Sequence, residues 1–367
     1  NFTKIQKLES ESWSTPAFCS ISNSLILCDR SGFVYCIDIN TNKQSWRINL
    51  GNKITASPIL ADINSNNSNE IFIGTEDSGN LYCVDINGKI IWKQNCGFSI
   101  RSTVRVVKNK IIDKTYIIVA GYGNYLHKLD GLNGQLIWKK FIGRHLYSGA
   151  CGVVSSPLVE DVDNDGRLEV VIGTRNKMVV CLDFYSGKYK WFYPIKSDPD
   201  SSPVFKKVGN INYIIIGGGE FVNGLGDLSI HAINGKTGKR IWKKKISGGL
   251  DSCPVIEDID NNGKYEVVIT SLADHSCYAF DLISGNIVWQ YVFEKAENCV
   301  HKKNICFTKD LYRTGDAVCR SYTTPLLYMR QNKIFSIWVG SNNGKIIEID
   351  GKNGKAINTI NNDKLVR

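Results

Sequence analysis

The stretch MVVCLDFYSGKYKWF, residues 178–192, decides the fold. It reads as a β-strand that ends at Asp183, a turn that contains Gly187, and a second strand that carries Trp191. Short β-branched and aromatic runs joined by a glycine turn are typical of β-hairpins. The same combination of strand end, polar turn and tryptophan recurs along the chain, so internal repetition is the main signal in this sequence.

Tryptophan marks the repeat most clearly. Six of the eight tryptophans occupy one register, at intervals of 46, 46, 53, 51 and 47 residues. An Asp or Asn at the end of the preceding strand lies seven or eight residues before each of them. A seventh unit ends in Ile349-Asp350 but carries Asn358 where the tryptophan is expected. The six marker residues are Trp46, Trp92, Trp138, Trp191, Trp242 and Trp289.

A second marker, a small polar pair followed by proline, opens most units. Six of the eight prolines stand at this position, and the third unit replaces the marker by Arg101-Ser102-Thr103-Val104. Proline fixes φ and donates no hydrogen bond, so it suits the first residue of a strand. The six prolines are Pro16, Pro58, Pro157, Pro203, Pro254 and Pro325.

Each unit between these markers contains four short strands. In the fourth unit they are predicted at residues 157–159, 169–173, 178–182 and 189–192, with no competing helical periodicity. Four strands per unit of roughly 45 residues is the signature of a propeller blade. The sequence therefore predicts an all-β fold, a single seven-bladed β-propeller domain of four-stranded antiparallel blades over residues 1–367.

The blade boundaries follow from the markers. The predicted blades span residues 14–54, 55–100, 101–154, 155–199, 200–250, 251–320 and 321–367. An eighth blade would need a further unit that the sequence lacks. Residues 2–9 are expected to form a strand that joins the last blade, because closing the ring removes an exposed sheet edge.

The repeated pattern Tyr-x-x-Asp-x-x-x-Gly-x-x-x-Trp, with a glycine at the end of the second strand, resembles the pyrroloquinoline-quinone (PQQ)-like repeat of the quinoprotein-dehydrogenase-like propellers. The resemblance covers essentially the whole chain. It implies that each tryptophan docks on the neighbouring blade and that the Asp supports the turn. A tryptophan buries about 150–250 Å², so repeated docking would make a ring of near-identical junctions.

Three units carry an acidic loop between their first and second strands. Alternating carboxylates on a tight loop can surround a hard cation, glycine permits the sharp turn, and a last acidic residue can close the shell. Because that acid is the ninth residue of the loop, these loops resemble the FG-GAP calcium loops of integrin-like propellers. The predicted Ca²⁺ ligands are Asp161, Asp163, Asp165 and Glu169 in the fourth unit and Asp258, Asp260, Asn262 and Glu266 in the sixth.

The second unit has a degraded version of this loop. It retains Asp62, Asn64, Asn66 and Glu70 but lacks the glycine. All three loops can also be read as metal-free turns, because Asp, Asn and Gly favour turns by themselves. A bound calcium ion would stiffen the hairpin, and no neighbouring acid–base residues suggest catalysis.

The twelve cysteines do not form one obvious disulfide framework. Cys36, Cys83 and Cys181 share one repeat position in the third strand and are predicted to be buried free thiols. Cys19 and Cys28 flank a predicted turn at Asn23-Ser24 and are candidates for a bridge across the hairpin. Cys299, Cys306 and Cys319 lie in the one long insertion, where disulfides would stabilise a long loop.

The sequence indicates the cellular compartment of the protein only indirectly. Two glycosylation sequons, Asn1-Phe2-Thr3 and Asn66-Asn67-Ser68, favour a secretory route together with the calcium loops. An extracellular, cell-surface or luminal location is therefore expected, with a cytoplasmic location as the alternative. The chain begins without Met, so we expect a mature chain or a piece of a larger protein, anchored through a missing segment if membrane-bound.

Composition excludes several classes of protein. The formal net charge is +10, but the lysines are scattered through the turns and outer strands of successive repeats, so the pattern does not predict a nucleic-acid surface. No apolar run reaches the roughly 18 residues of a membrane-spanning helix. The five histidines, which lack metal-ligand spacing, are His127, His145, His231, His275 and His301.

The sequence shows no catalytic constellation. The resemblance to quinoprotein dehydrogenases implies PQQ and Ca²⁺ on the propeller axis, an Asp base and adjacent cysteines, but this chain has no Cys-Cys pair. PQQ is therefore not expected, and neither a serine nucleophile elbow nor a phosphate loop is present. The glycine-rich stretch Gly217–Gly226 reads as a widened hairpin, since no helix follows it.

We therefore predict a non-enzymatic binding module that recognises a protein or glycan where the repeat is broken. Three segments depart most from the repeat: Glu297–Arg320 in blade six, Gly217–Gly226 and Arg144–Tyr147. Three alternatives remain: an oxidoreductase remnant, a cytosolic accessory propeller of a larger acyl-activating enzyme, and a luminal stress-sensor domain.

Overall fold

The chain is a seven-bladed β-propeller of four-stranded antiparallel blades, as the sequence predicts. We analysed a computed structural model, which describes residues 7–109, 112–143, 155–199, 201–219, 226–246, 249–250, 252–271, 275–293, 324–340 and 345–361. Within these ranges there is no helix. Every sheet contains four strands that are consecutive in sequence and in space, so each blade is a simple antiparallel meander.

The strands fall within the predicted blade ranges. Blades one to three contain β1 (Ala17–Cys19), β2 (Ser24–Cys28), β3 (Phe33–Asp38), β4 (Lys43–Asn49), β5 (Ile59–Ala61), β6 (Glu70–Gly74), β7 (Asn80–Val84), β8 (Ile90–Asn95), β9 (Arg105–Asn109), β10 (Lys114–Val119), β11 (Tyr125–Asp130) and β12 (Leu136–Phe141). Blade four contains β13 (Leu158–Glu160), β14 (Glu169–Thr174), β15 (Met178–Asp183) and β16 (Tyr189–Pro194), within two residues of the predicted ends.

Blades five to seven follow the same pattern. They contain β17 (Val204–Val208), β18 (Ile211–Gly217), β19 (Ser229–Asn234), β20 (Arg240–Lys245), β21 (Val255–Glu257), β22 (Glu266–Ser271), β23 (Ser276–Asp281), β24 (Ile287–Val292), β25 (Leu326–Met329), β26 (Phe335–Gly340), β27 (Lys345–Asp350) and β28 (Ala356–Asn361). The second and third strands of the blades are the most buried, and the fourth strands are largely exposed.

Two compact units can be distinguished within the chain. The first comprises Asn1–Val159 with Phe184–Lys188, and the second comprises Glu160–Asp183 with Tyr189–Arg367. Each unit has its own apolar clusters between successive blades. In the first unit, Phe72 and Leu81 of blade two pack with Ile117 of blade three. In the second, Tyr213 and Ile215 cluster with residues of blade six.

The marker tryptophans join successive blades, as the family resemblance implies. Each indole Nε1 donates a hydrogen bond to a backbone carbonyl in the turn between the third and fourth strands of the next blade. The acceptors of Trp46, Trp92 and Trp138 in the first unit are Ile86, Gly131 and Phe184, at 2.8, 3.1 and 3.2 Å. The acceptors of Trp191, Trp242 and Trp289 in the second unit are Gly235, Leu282 and Gly351, at 2.7, 2.9 and 2.8 Å.

In blades two to seven, a glycine four residues before the tryptophan position contacts the tryptophan of the preceding blade. Gly238 has a φ of +68°, and a Cβ atom there would lie 2.7 Å from the ring of Trp191. Positive φ and close ring contact together favour glycine at this position. Glycine is absent from this position in blade one, where Asn42 takes a φ of +54°.

A β-bulge positions each marker tryptophan. In all seven sheets the pairing between the third and fourth strands shifts by one residue next to the tryptophan position, or next to Asn358 in blade seven. The third-strand residues opposite the tryptophans include Cys36, Cys83 and Cys181, all buried. The shared repeat position of these cysteines is thus the one that faces the indole.

The predicted closing strand at residues 2–9 lies mostly outside the described residues. Residues 7–9 do not belong to a strand. The backbone N–H of Glu9 donates to the Asp29 carboxylate and to the Tyr35 hydroxyl of blade one, at 3.2 and 3.1 Å. Beyond it, the Arg30 guanidinium lies over the Trp13 ring at 3.8 Å. Residues 9–13 are thereby fixed to blade one.

We expect Trp191→Ala to lower the free energy of unfolding by about 3–5 kcal/mol, because it removes a buried ring from a blade junction. Trp13→Ala is the matched control, since Trp13 is 61% exposed and stacks under Arg30 of blade one. Urea unfolding followed by circular dichroism measures both. Equal losses for the two variants would contradict the docking role of the marker tryptophans.

Candidate functional site

The acidic loop of blade four, between β13 and β14, is held by its own backbone. Asp165 N and Gly166 N donate to the two carboxylate oxygens of Asp161, at 3.1 and 3.0 Å. Val162 N donates to Oε2 of the fully buried Glu169, at 3.0 Å. The first and last acids of the predicted calcium motif are therefore already engaged as turn-capping groups.

An ammonium group of the chain itself occupies the centre of this loop. Lys190 Nζ lies 2.5 Å from Asp163 Oδ2, 2.8 Å from Glu169 Oε1 and 3.4 Å from Asp165 Oδ2. Burial alone lowers the pKa of Lys190, but its hydrogen bonds with Asp163 and Glu169 outweigh burial and raise it. Lys190 thus provides the positive charge that the sequence assigned to calcium.

The acidic loop of blade six has the same backbone geometry. Asn262 N and Gly263 N each donate to an Asp258 carboxylate oxygen at 2.9 Å, and Ile259 N donates to Glu266 Oε2 at 3.1 Å. The Asn262 side-chain oxygen accepts from Lys264 N at 2.8 Å, so this predicted ligand is turned toward the backbone.

Blade six has no lysine in place of Lys190. The residue before its tryptophan is Val288, whose side chain is 47% exposed. Burial and the nearby carboxylates raise the pKa of Glu266 to about 7, although the hydrogen bond from Ile259 N lowers it. Among the described residues no ion pair includes an acid of this loop.

Blade two retains the turn and its first and last acids, but Asn64 and Asn66 replace the acids between them. Ile63 N donates to the buried Glu70 at 3.1 Å, as in the other two loops. Lys108 of blade three donates to Ser65 Oγ at 2.7 Å and approaches the Asp62 carbonyl at 3.4 Å. Ile91 stands at the position of Lys190, beside an open groove of about 460 Å³.

The structure brings six of the eight predicted metal ligands into two groups. In each group three carboxylates offer oxygens within 4.8 Å of one another, namely Asp161, Asp163 and Glu169, and Asp258, Asp260 and Glu266. Asp165 lies outside its group and accepts from Arg167 N at 2.8 Å. Calcium binding stays a prediction; of these two groups, the blade-six carboxylates are the ones that form no ion pair within the described part of the chain.

The described cysteines are all free thiols. They are Cys19, Cys28, Cys36, Cys83, Cys96, Cys181, Cys253 and Cys277. The candidate bridge between Cys19 and Cys28 is wrong, because strand register pairs Cys19 with Ser24 and leaves Cys28 at the far end of β2. The turn between these strands spans Ser20–Asn23 rather than two residues. Cys299, Cys306 and Cys319 lie outside the described residues.

Sequence reasoning missed a buried polar network in blade five. Asp227 and His231 have side chains only 2% and 1% exposed, and Asp227 Oδ1 lies 2.7 Å from Lys243 Nζ. His231 Nδ1 lies 2.9 Å from the Tyr193 hydroxyl. Burial raises the pKa of Asp227, but hydrogen bonds from His231 and Lys243 outweigh it and hold that pKa well below its usual range.

This network anchors both ends of a loop that the sequence singled out. Ser197 Oγ accepts from Asp227 N at 2.8 Å and donates to the carbonyl of Gly219 at 2.5 Å. The Gly217–Gly226 loop joins β18 to β19 as predicted, and residues 220–225 lie outside the described ones. Because these partners are distant in sequence, no local motif could have revealed the network.

The other two predicted binding segments, Glu297–Arg320 and Arg144–Tyr147, lie outside the described residues. Where the structure describes the chain, no helix has the length and hydrophobicity needed to cross a membrane.

Comparison with known proteins points to one family. The sequence profile of the family described as outer membrane protein assembly factor BamB matches residues 30–291 and 217–362. The outer membrane protein assembly factor BamB of Yersinia pestis is 21% identical over 370 residues, covering 94% of this chain and 79% of that protein.

Solved structures share the fold. The crystal structure of BamB from Moraxella catarrhalis aligns with a TM-score of 0.67 and 18% identity, covering 98% of this chain and 90% of that one. A europium-containing methanol dehydrogenase aligns with a TM-score of 0.60 and 12% identity, covering 89% and 72%. The designed protein Ika8 aligns with a TM-score of 0.62 and 14% identity, covering 98% and 89%.

We expect calcium to bind in blade six and not in blade four of the unmodified chain, because Lys190 competes with the ion only in blade four. Val288→Lys should abolish binding by adding an ammonium to blade six, and Lys190→Met should create a site in blade four. Calorimetric titration with CaCl₂ measures both. Equal calcium binding by the unmodified chain and Val288→Lys would contradict this assignment.

Without calcium, the raised pKa of Glu266 makes stability depend on pH. The folded pKa of about 7 exceeds the ordinary value of 4.5, so folding favours the protonated carboxyl. This stabilisation is fully present below about pH 4.5 and is lost as pH rises through about 7, by up to about 3 kcal/mol.

Urea unfolding in EDTA between about pH 4.5 and 8 should show that loss, and Glu266→Gln should flatten it. Asp77→Asn, at an exposed carboxylate, is the control and should leave the pH profile unchanged. A profile that Glu266→Gln does not alter would show that Glu266 is not the titrating group.

Proposed function

Because the chain belongs to the family described as outer membrane protein assembly factor BamB, we propose that it is a non-enzymatic propeller that binds a protein partner within an assembly. Family membership over most of the chain is the observation that carries this proposal. The matched Yersinia pestis protein is named an assembly factor, and the non-enzymatic prediction made from the sequence agrees with that name. The propeller contributes a rigid scaffold, and its loops contribute specificity.

Partner recognition is assigned to the segments that break the repeat. Blades one to six share one junction, in which the tryptophan packs on the turn of the next blade, so these repeated parts serve folding. The blade-six insertion, Glu297–Arg320, departs furthest from the repeat in sequence. The Gly217–Gly226 loop is a second candidate, because Ser197 and Asp227 fix its base.

The proposal extends to the cellular compartment and to a bound calcium ion. An extracytoplasmic location fits the family description, which refers to the outer membrane, and fits the two sequons. In that setting calcium would stiffen the blade-six loop through Asp258, Asp260 and Glu266. No PQQ is included in the proposal, because the chain lacks the adjacent cysteines that the dehydrogenase resemblance would require.

Replacing residues 297–320 by a short Gly-Ser linker tests the binding role. We expect the replacement to abolish crosslinking of the tagged chain to its partner in cells, while circular dichroism stays unchanged. A variant with the same 24 residues in scrambled order is the control for length and composition. Unchanged crosslinking in both variants would remove the insertion from the binding surface, and PQQ-dependent dye reduction would contradict the non-enzymatic proposal.

A second candidate, the cytosolic accessory propeller of a larger enzyme, is favoured by the cysteines. Seven of the eight described thiols are buried, and burial raises the pKa of Cys96 to about 12 and of Cys253 to about 11. Such thiols pack as small apolar groups and persist in a reducing compartment.

The number of alkylated cysteines distinguishes the two candidates. Mass spectrometry after denaturing iodoacetamide treatment, without reductant, should show bridges among the remaining four cysteines if the protein is extracytoplasmic. Twelve alkylated cysteines would favour the accessory propeller, and fewer would favour the extracytoplasmic assembly factor.

A further inference from the structure

The densest positive charge of the chain lies on the outer strand of blade five. Residues 236–245 contain six basic side chains and no acidic one, in a protein whose formal net charge is +10. Three of them, Lys243, Lys244 and Lys245, are consecutive at the end of β20. Six basic residues among ten exceed the density of the whole chain, which has 45 Lys and Arg among 367 residues.

Most of this charge is uncompensated. Lys243 pairs with the buried Asp227 at 2.7 Å and belongs to the network described above. Lys244 Nζ donates to the Asn286 side-chain oxygen at 2.9 Å, which is an uncharged partner. Among the described residues no ion pair includes the other four, which are Lys236, Lys239, Arg240 and Lys245, all exposed.

These cations lie on a sheet edge. β20 is the last strand in the order β17-β18-β19-β20, so within the described part of the chain its outer backbone groups have no strand partner. A groove of about 520 Å³ runs beside it, lined by Arg240, Lys244, Lys245 and, from the next blade, Ser284. An extended peptide adds to such an edge through backbone hydrogen bonds and is selected by its side chains.

Protection of the edge does not account for this much charge. Charged side chains, especially lysines, protect edge strands, but the outer strands of the other blades carry two or fewer basic residues. In blade three the equivalent strand, β12, has Lys139 and Lys140 followed by Phe141. β20 has four cations among six residues, with two more in the preceding turn.

We propose that the outer edge of β20 binds an extended acidic segment of a partner polypeptide as an additional strand. The inference rests on the proposed function, since it gives the chemistry of the protein partner. Six residues of strand span about 20 Å, which matches a short peptide segment. The only large aromatic ring here, Trp242, is buried in the blade junction and presents no stacking surface for bases.

The test uses a fluorescent peptide of about six to ten alternating Glu and Thr residues, with a Lys-Thr peptide of the same length as probe control. We expect the full chain to bind only the acidic peptide, more weakly at about 300 mM than at about 50 mM NaCl. Lys244→Gln/Lys245→Gln should raise Kd about three- to tenfold. Lys139→Gln/Lys140→Gln removes the same charge from the equivalent strand of blade three and should leave Kd unchanged.

Three outcomes would overturn the inference: no binding of the acidic peptide, equal loss in both double variants, or preferential binding of duplex DNA or anionic vesicles. None of them bears on the blade-six insertion. If the unmodified chain crosslinks to its partner but does not bind the acidic peptide, the proposed function is supported and the β20 binding site is rejected. If the peptide binds specifically at β20 but replacing the insertion leaves crosslinking unchanged, the β20 site is supported and the insertion is removed from the binding surface.

Discussion

The bond from each marker tryptophan to the next blade is the interaction on which the rest of the structure depends. The indole satisfies its one donor on a turn carbonyl and covers a turn glycine at the same time. A bulge between the third and fourth strands sets the ring at that position, as at Trp191 opposite Cys181. Turn, bulge and glycine therefore form one unit. Blade seven carries Asn358 in place of the tryptophan, and blade one carries Asn42 in place of the turn glycine.

The sequence of an acidic loop does not by itself determine whether its carboxylates are available to a metal ion. In blades two, four and six the first acid and the last acid accept backbone hydrogen bonds that shape the turn. The three loops also differ in the side chain of the outer strand directly before the tryptophan. In blade four, Lys190 fills the loop. In blade two, Ile91 lines a groove at the equivalent place. In blade six, Val288 supplies no positive charge to the carboxylates, and the pKa of Glu266 is raised.

The same scaffold separates stability from recognition. Junctions and second and third strands are buried and repetitive, so they tolerate little change. Outer strands and connections are exposed and vary freely, from the uncharged β24 to the basic β20. The outer strands can therefore change in charge from blade to blade without altering the core.

Periodicity alone determined the fold. Tryptophan spacing, the Ser-x-Pro starts and the turn glycines set seven blades and the strand positions in blade four to within two residues, because each blade repeats a local pattern. The sequence also found both carboxylate clusters. Tertiary structure decided that Lys190 fills one of them, that Cys19 cannot pair with Cys28, and that Asp227 meets Lys243 and Ser197. These facts depend on strand register and on contacts between distant segments, and register is fixed only when the sheets pack.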